Sequence, residues 1–178
     1  YMYKKSYGGG IKTLDEVKKL YRIGYEKVIF NSAFIENPDL IKKTVDYAGS
    51  QSVVVALDFK KSFRGKYDLH IRSGRVKSKL SIDEIIARIK ELKVGEIIVN
   101  VIDKDGTMSG YDYEIVRLIS SSLEQPVIAN TGASGIKDFR EALKNGAHAV
   151  AASSFFVYYG MKRAVLITFP SQEELKEL

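Results

Sequence analysis

The chain has 178 residues, 45% of them hydrophobic and 28% charged, with a formal net charge of +6. That is enough for one globular core and short for two full domains, and no apolar run reaches the roughly 20 residues of a membrane helix. Cysteine is absent, which excludes a disulfide scaffold and a thiolate metal site and suits a reducing cytosol, so a cytoplasmic protein is expected.

Along the chain, short β-branched runs alternate with longer helical periods. Gly8-Gly9-Gly10 leads towards a helix over residues 14–23, where Leu14, Val17, Leu20 and Tyr21 recur at helical spacing before Gly24. Residues 27–31 (KVIFN) read as a strand, and Asn37-Pro38 caps a helix over 39–48. Residues 52–58 (SVVVALD) form the next strand, and residues 67–79, turning at Ser73-Gly74, read as a small inserted hairpin. Ser81 and Glu84 stand at capping-box spacing before a helix over 81–92. Strands over 96–102, 126–130 and 147–152 then alternate with helices over 113–121 and 137–144. The strand runs are near-continuously apolar, the pattern of strands buried on both faces of a parallel sheet, and the whole reads as βα units.

The positive charge is local. Between residues 60 and 79 lie eight Lys or Arg residues and one acid, Asp68, so the rest of the chain is close to neutral. A groove for a polyanion needs cations on several elements, so no nucleic-acid partner is expected. One basic loop suits a small phosphorylated ligand, or is simply solvated.

An internal repeat sets the architecture. Gly10-Ile11-Lys12 precedes a helix, Gly24, a strand and Ser32-Ala33-Phe34; Gly135-Ile136-Lys137 precedes a helix, Gly146, a strand and Ser153-Ser154-Phe155. The copies lie 125 residues apart, too long for a solenoid and about half of the ~250 residues of a (βα)8 barrel. The fold expected is therefore α/β, a (βα)8 TIM barrel. The repeat partner of Asp58 would fall before Tyr1. About the first two βα units are thus expected to be missing, which reads Tyr1, in place of Met, as a sign of truncation.

The barrel gives the polar residues a common place, because strand C-termini share one mouth. The glycine turns before the two repeated helices, with Asn31-Ser32 and Ser153-Ser154 at the next strand ends, suit two phosphate sites on opposite sides of that mouth. The alternative is plain turn chemistry and helix caps. Asp58 ends an apolar strand, and a buried acid needs a partner or a job; Asp103 and Asp105 follow the next strand, as acid–base candidates or as a simple Asp-Gly turn. His70 and His148 show no metal-ligand spacing, the Asp103–Asp112 stretch lacks the EF-hand pattern, and neither a metal nor a cofactor is expected.

The runs GGGIKTLDEV, EKVIFNSAFIENPDLI, GSQSVVVALDFK, GEIIVNVIDKDGTMSGYD, PVIANTGASG and AVAASSFF resemble the HisF family, the cyclase subunit of imidazole glycerol phosphate synthase. The resemblance covers residues 7–156 and implies a single ribulose-phosphate-binding barrel domain over residues 1–178, carrying strands three to eight of the family barrel. It implies a lyase-cyclase in histidine biosynthesis that takes ammonia from a glutaminase (HisH-type) partner and uses it on a bis-phosphorylated small molecule. By position it implies that Asp58 and Asp105 are catalytic. Gly10, Asn31 and Ser32 fall at one phosphate site, and Asn130, Thr131, Gly132, Ser153 and Ser154 at the other. Lys27 and Glu96 fall at the ammonia entrance. The C-terminal MKRAVLITFPS is closer to a HisF-like branch that amidates surface-polysaccharide sugars, as in lipopolysaccharide. A docking module for a glutaminase, without its own chemistry, is a further alternative. Two departures stand out. The family's second catalytic aspartate belongs to a first strand with no counterpart here, so the chain alone is expected to be inactive; and Thr131 adds bulk at a phosphate turn.

Overall fold

The computed structural model describes residues 5–159, 164–176 and 178. Six parallel strands form one continuous sheet in chain order: β1 (Ser6–Gly8), β2 (Lys27–Phe30), β3 (Val53–Lys61), β6 (Glu96–Val101), β7 (Val127–Asn130) and β8 (Ala149–Val150). Two short strands, β4 (Tyr67–Ile71) and β5 (Val76–Lys77), extend β3 sideways. The crossovers are α1 (Leu14–Arg22), α2 (Ala33–Glu36) with α3 (Pro38–Ala48), α4 (Ile82–Leu92), α5 (Tyr113–Ser122) and α6 (Ile136–Lys144). After β8 come α7 (Ser154–Val157), a two-stranded ribbon of β9 (Tyr158–Tyr159) and β10 (Ala164–Val165), and α8 (Gln172–Lys176). This is the strand-helix order of a (βα)8 barrel, with β1 and β8 at the two edges of the sheet among the described residues.

Local chemistry explains the helix starts. Thr13 with Glu16 and Ser81 with Glu84 form complete capping boxes, each tying the first turn's free N–H groups to a side chain. Asn37 caps α3 with Pro38 at its first position, and Asp112 accepts from Ile115 N–H at the head of α5. The two copies of the repeat differ here. Gly135 is itself the N-cap of α6, whereas Gly10 lies a turn ahead of α1, with Ile11 buried between them.

The strands are not buried on both faces. Burial alternates along β2, β6, β7 and, from Val55 onward, β3, where Val54 stays buried on the inner side. Phe30, Val55, Leu57, Phe59, Ile97, Val99 and Val127 are fully buried beneath the helices, where Phe34, Ile41, Ile85, Ile89, Ile115 and Ile119 meet them. Each such side chain contributes about 1.5–3 kcal/mol. The other face holds Ile29, Ala56, Ile98 and Ile128, only partly covered among the described residues. The apolar composition of that face suits a closed barrel interior, which is why the sequence pattern reads as doubly buried.

Two further expectations need correction. β3 does not stop at Asp58. It runs to Lys61, and residues 58–61 pair antiparallel with β4, so the basic segment is a three-stranded extension of β3 rather than a free hairpin. The last strand is shorter than residues 147–152, since only Ala149 and Val150 pair with β7.

Candidate functional site

Successive residues of a strand face opposite sides, so the inner face can be read off the register. Asp58, Asn100 and Asn130 are direct neighbours on β3, β6 and β7. Asn100 Nδ2 donates to Asp58 Oδ1 at 2.6 Å, and Asn130 Nδ2 donates to Asn100 Oδ1 at 2.8 Å. Asn31, on the other flank of β3, donates its Nδ2 to Ala56 O at 2.9 Å. The C-terminal ends of four strands thus carry one layer of three amides and one carboxylate. Burial pushes the Asp58 carboxyl above its ordinary value; amide hydrogen bonds from Asn100 and Asn31 oppose this, nearby Asp105 adds to it, and His70 opposes it weakly.

Two cavities open on this layer. The larger, about 790 Å³, is lined by Gly8, Gly9 and Gly10 after β1, by Asn31 and Ser32 after β2, and by Asp58 and Asn100. Gly9 and Gly10 adopt φ of +107° and +72°, and a Cβ built on either meets nothing within 4 Å, so this backbone faces open space. Ser32 precedes α2 but makes no side-chain cap. Its hydroxyl instead accepts from Arg72 N–H at 3.0 Å. The helix-cap alternative therefore fails for Ser32.

The smaller cavity, about 90 Å³, is lined by Asp105, Gly106, Met108, Asn130, Thr131, Gly132, Ala152, Ser153 and Ser154 among others. Ser153 also precedes its helix without capping it through its side chain. Thr131 has φ +73°, and its hydroxyl is spent on β6, accepting from Val101 N–H at 2.9 Å and donating to Val101 O at 3.1 Å. Gly132 is required by a close approach: a Cβ there would sit 2.5 Å from Gly110 O. Buried Tyr111 donates to Ala151 O at 2.9 Å and anchors the neighbouring strand end.

The opposite end of the same face carries one ion pair. Lys27 and Glu96, at the starts of β2 and β6, hydrogen-bond across the start of β3, with side chains 25% and 26% exposed. Between this pair and the amide layer lie Ile29, Val54, Ala56, Ile98 and Ile128. From Glu96 to Asn100 the face is about 13 Å long at ~3.3 Å per residue. The inner face is charged at one end, apolar in the middle and amide-rich at the other.

The model of the histidine biosynthesis protein family matches residues 3–162. A Leptospira borgpetersenii protein, provisionally named imidazole glycerol phosphate synthase subunit HisF, is 41% identical over 174 residues, covering 97% of this chain and 68% of the relative. The chain belongs to the HisF family. A Pseudomonas aeruginosa relative, provisionally named subunit hisF2, is 41% identical over 95% of this chain and 68% of its own length. An Alkaliphilus metalliredigens protein named subunit HisF is 40% identical over 85% of this chain and 60% of its own. The chain therefore spans about three fifths to two thirds of the HisF relatives it matches.

Within this HisF-family fold, Gly10, Asn31, Ser32 and Asp58 meet at the first cavity, and Asp105, Asn130, Thr131, Gly132, Ser153 and Ser154 at the second. Lys27 and Glu96 meet at the far end. Asp103 turns away and accepts from Lys61 N–H at 3.2 Å. Three cations of the basic segment sit in ion pairs, Lys61 with Glu114, Lys77 with Asp68 and Arg72 with Glu36. Sequence reasoning missed Asn100 and Arg72. Asn100 was readable as the one polar residue inside the run IIVNVI. Arg72 was hidden among its basic neighbours until the β3–β4 register brought it to the mouth.

Proposed function

We propose that this HisF-family chain works as the ammonia-accepting cyclase of an imidazole glycerol phosphate synthase in histidine biosynthesis. A glutaminase partner of HisH type docks at the Lys27–Glu96 end and releases ammonia. The ammonia moves along the apolar inner face to a bis-phosphorylated substrate held at the opposite mouth. The observation that carries this reading is the placement of Asp58. It lines the first cavity and is joined by Asn100 and Asn130, in one hydrogen-bonded row, to the second.

Each group has a task in this reading. Gly9 and Gly10 leave their backbone open to a phosphate, with Asn31 and Ser32 beside it; Ser153 and Ser154 serve the second phosphate. Asp58, pushed up by burial, retains a proton at higher pH than an ordinary carboxyl, so it can both give and take one during ring closure. Asn100 fixes the orientation of that carboxylate. Asp105 supplies the second carboxyl at the mouth.

The test is Asp58→Asn in the complete subunit. Turnover with ammonium salt and with the glutaminase partner should fall about 10²–10⁴-fold, the range of a lost general acid–base. Binding of a phosphate monoester should stay within about threefold, since exchanging one carboxylate oxygen for an amide nitrogen leaves the glycine turn intact. Undiminished turnover would overturn the assignment.

The second cavity favours one other reading. It is about 90 Å³, and its Thr131 hydroxyl is committed to Val101. A HisF-like subunit that amidates a polysaccharide sugar, held chiefly through the first cavity, fits that asymmetry. Under the cyclase reading a bis-phosphate competes far better than a monophosphate; under the sugar reading the two compete equally.

A further inference from the structure

The turn between β4 and β5 is fixed over the first cavity. Arg72 and Ser73 both have left-handed backbones, at φ +54° and +57°, a conformation that costs a non-glycine residue about 1–2 kcal/mol. Contacts on two sides hold it there. Arg72 N–H donates to Ser32 Oγ at 3.0 Å, and a Cβ on Gly74 would lie 3.1 Å from Ile102 Cδ1. The turn thus bridges the ends of β2 and β6 across β3. In this position Arg72 and Ser73 line the same cavity as Gly8–Gly10, Asn31, Ser32 and Asp58.

The Arg72 guanidinium rests on a carboxylate at the rim of that cavity. Its Nε donates to Glu36 at 2.7 Å, and Glu36 also lines the cavity. The two side chains are 65% and 39% exposed. An ion pair this solvated is worth little, about 0–1 kcal/mol. A phosphate monoester carries more charge than a carboxylate and accepts two parallel N–H bonds from the guanidinium fork. Exchange of Glu36 for phosphate is therefore favourable once a phosphate is in the cavity.

We propose that Arg72 is a substrate-anchoring residue that leaves Glu36 to clamp the phosphate monoester in the first cavity, with Glu36 as its resident competitor. The proposal rests on the phosphate reading of that cavity and adds to it the residue that closes over the ligand. It also gives the strained turn a purpose, since the turn places a cation over an otherwise open glycine cradle.

Calorimetric titration of the protein with ribose 5-phosphate tests it through two substitutions with opposite expected signs. Arg72→Met should weaken binding about tenfold or more, as loss of a charge-assisted fork does. Glu36→Gln should tighten it about two- to fivefold, because the competitor is neutralised. If the pair were only a structural clasp for the hairpin, both changes would weaken binding, and that result overturns the proposal, as does an unchanged affinity in Arg72→Met. Both side chains are partly solvated, and equal thermal midpoints for the three proteins would show that the turn is still folded. No binding by the native protein would remove the phosphate reading itself, whereas native binding with no opposite response removes only the role of Arg72.

Discussion

Gly10 and Gly132 line the two cavities and answer to different physics. Gly132, at φ +99°, is packed against the Gly110 backbone, which accepts its close approach and donates to its carbonyl at 2.8 Å. Gly132→Ala should therefore cost about 3 kcal/mol and lower Tm by roughly 6–12 °C, measured by thermal denaturation. Gly10→Ala meets no atom within 4 Å and carries only the strain of φ +72°, about 1 kcal/mol, but it should weaken phosphate monoester binding because its methyl enters the cradle. Asp58 brings a cost of its own. An acid whose pKa is raised by folding destabilises the native state as pH climbs from about 4, where the unfolded group titrates, through the higher folded value, and the cost is complete above that. Asp58→Asn should therefore raise Tm at pH 7 and lose this advantage below about pH 4. Asp58 is only half-buried, so the gain is held to about 1 kcal/mol, or no more than ~4 °C. A Tm for the variant below the native value at pH 7 would contradict this sign.

The elements that were legible in the sequence are those with local determinants. The capping box at Ser81 and the Asn37-Pro38 start announce their helices because the signal and the structure lie within one turn. The extension of β3 to Lys61 was not legible, because it depends on pairing with β4, and residues 59–61 carry no alternation that separates them from a loop. The loop at residues 131–135 is likewise set by a partner further on. Asp138, in the first turn of α6, accepts from Ser134 N–H at 2.7 Å, from Ser134 Oγ at 2.6 Å and from Tyr113 hydroxyl at 3.0 Å. Partial burial works to raise its pKa, but these hydrogen bonds, with that from the Gly135 N–H, together hold it below the usual carboxylate value. A lowered acid contributes stability above its unfolded pKa, about 4, that is lost as pH falls through the folded value. Asp138→Ala should thus cost about 1 kcal/mol at pH 7 and have a smaller effect at pH 2–3, followed by denaturation midpoints across that range. An equal loss at both pH values would show that packing, not the carboxylate, fastens this loop.

At the scale of the whole molecule, the 125-residue repeat made the architecture readable, since two copies of one strand-and-helix order imply a shared mouth even where their turns differ. The repeat could not reveal that Asn100, Asn130 and Asp58 form one row, because that depends on the register between residues 30 and 42 positions apart. The same register puts Lys27 beside Glu96 at the far end, and there stability and function separate. An isolated pair of this kind, a quarter exposed, contributes about 1 kcal/mol at most, so Lys27→Met should lower Tm by only ~2–4 °C. For a complex that passes ammonia into the barrel the consequence is larger, because the pair lies across the start of the apolar face that ammonia would follow. In the complete subunit, Lys27→Met and Glu96→Gln should keep near-native turnover when ammonium salt is supplied in solution, since the Asp58 mouth is about 13 Å away. With glutamine and the glutaminase partner, turnover should fall about tenfold, as a mispositioned docking and entry point would dictate. The ratio of the two rates is the measurement. Equal losses with both ammonia sources would place the defect at the mouth or in the fold, and would leave the ion pair no part in delivery.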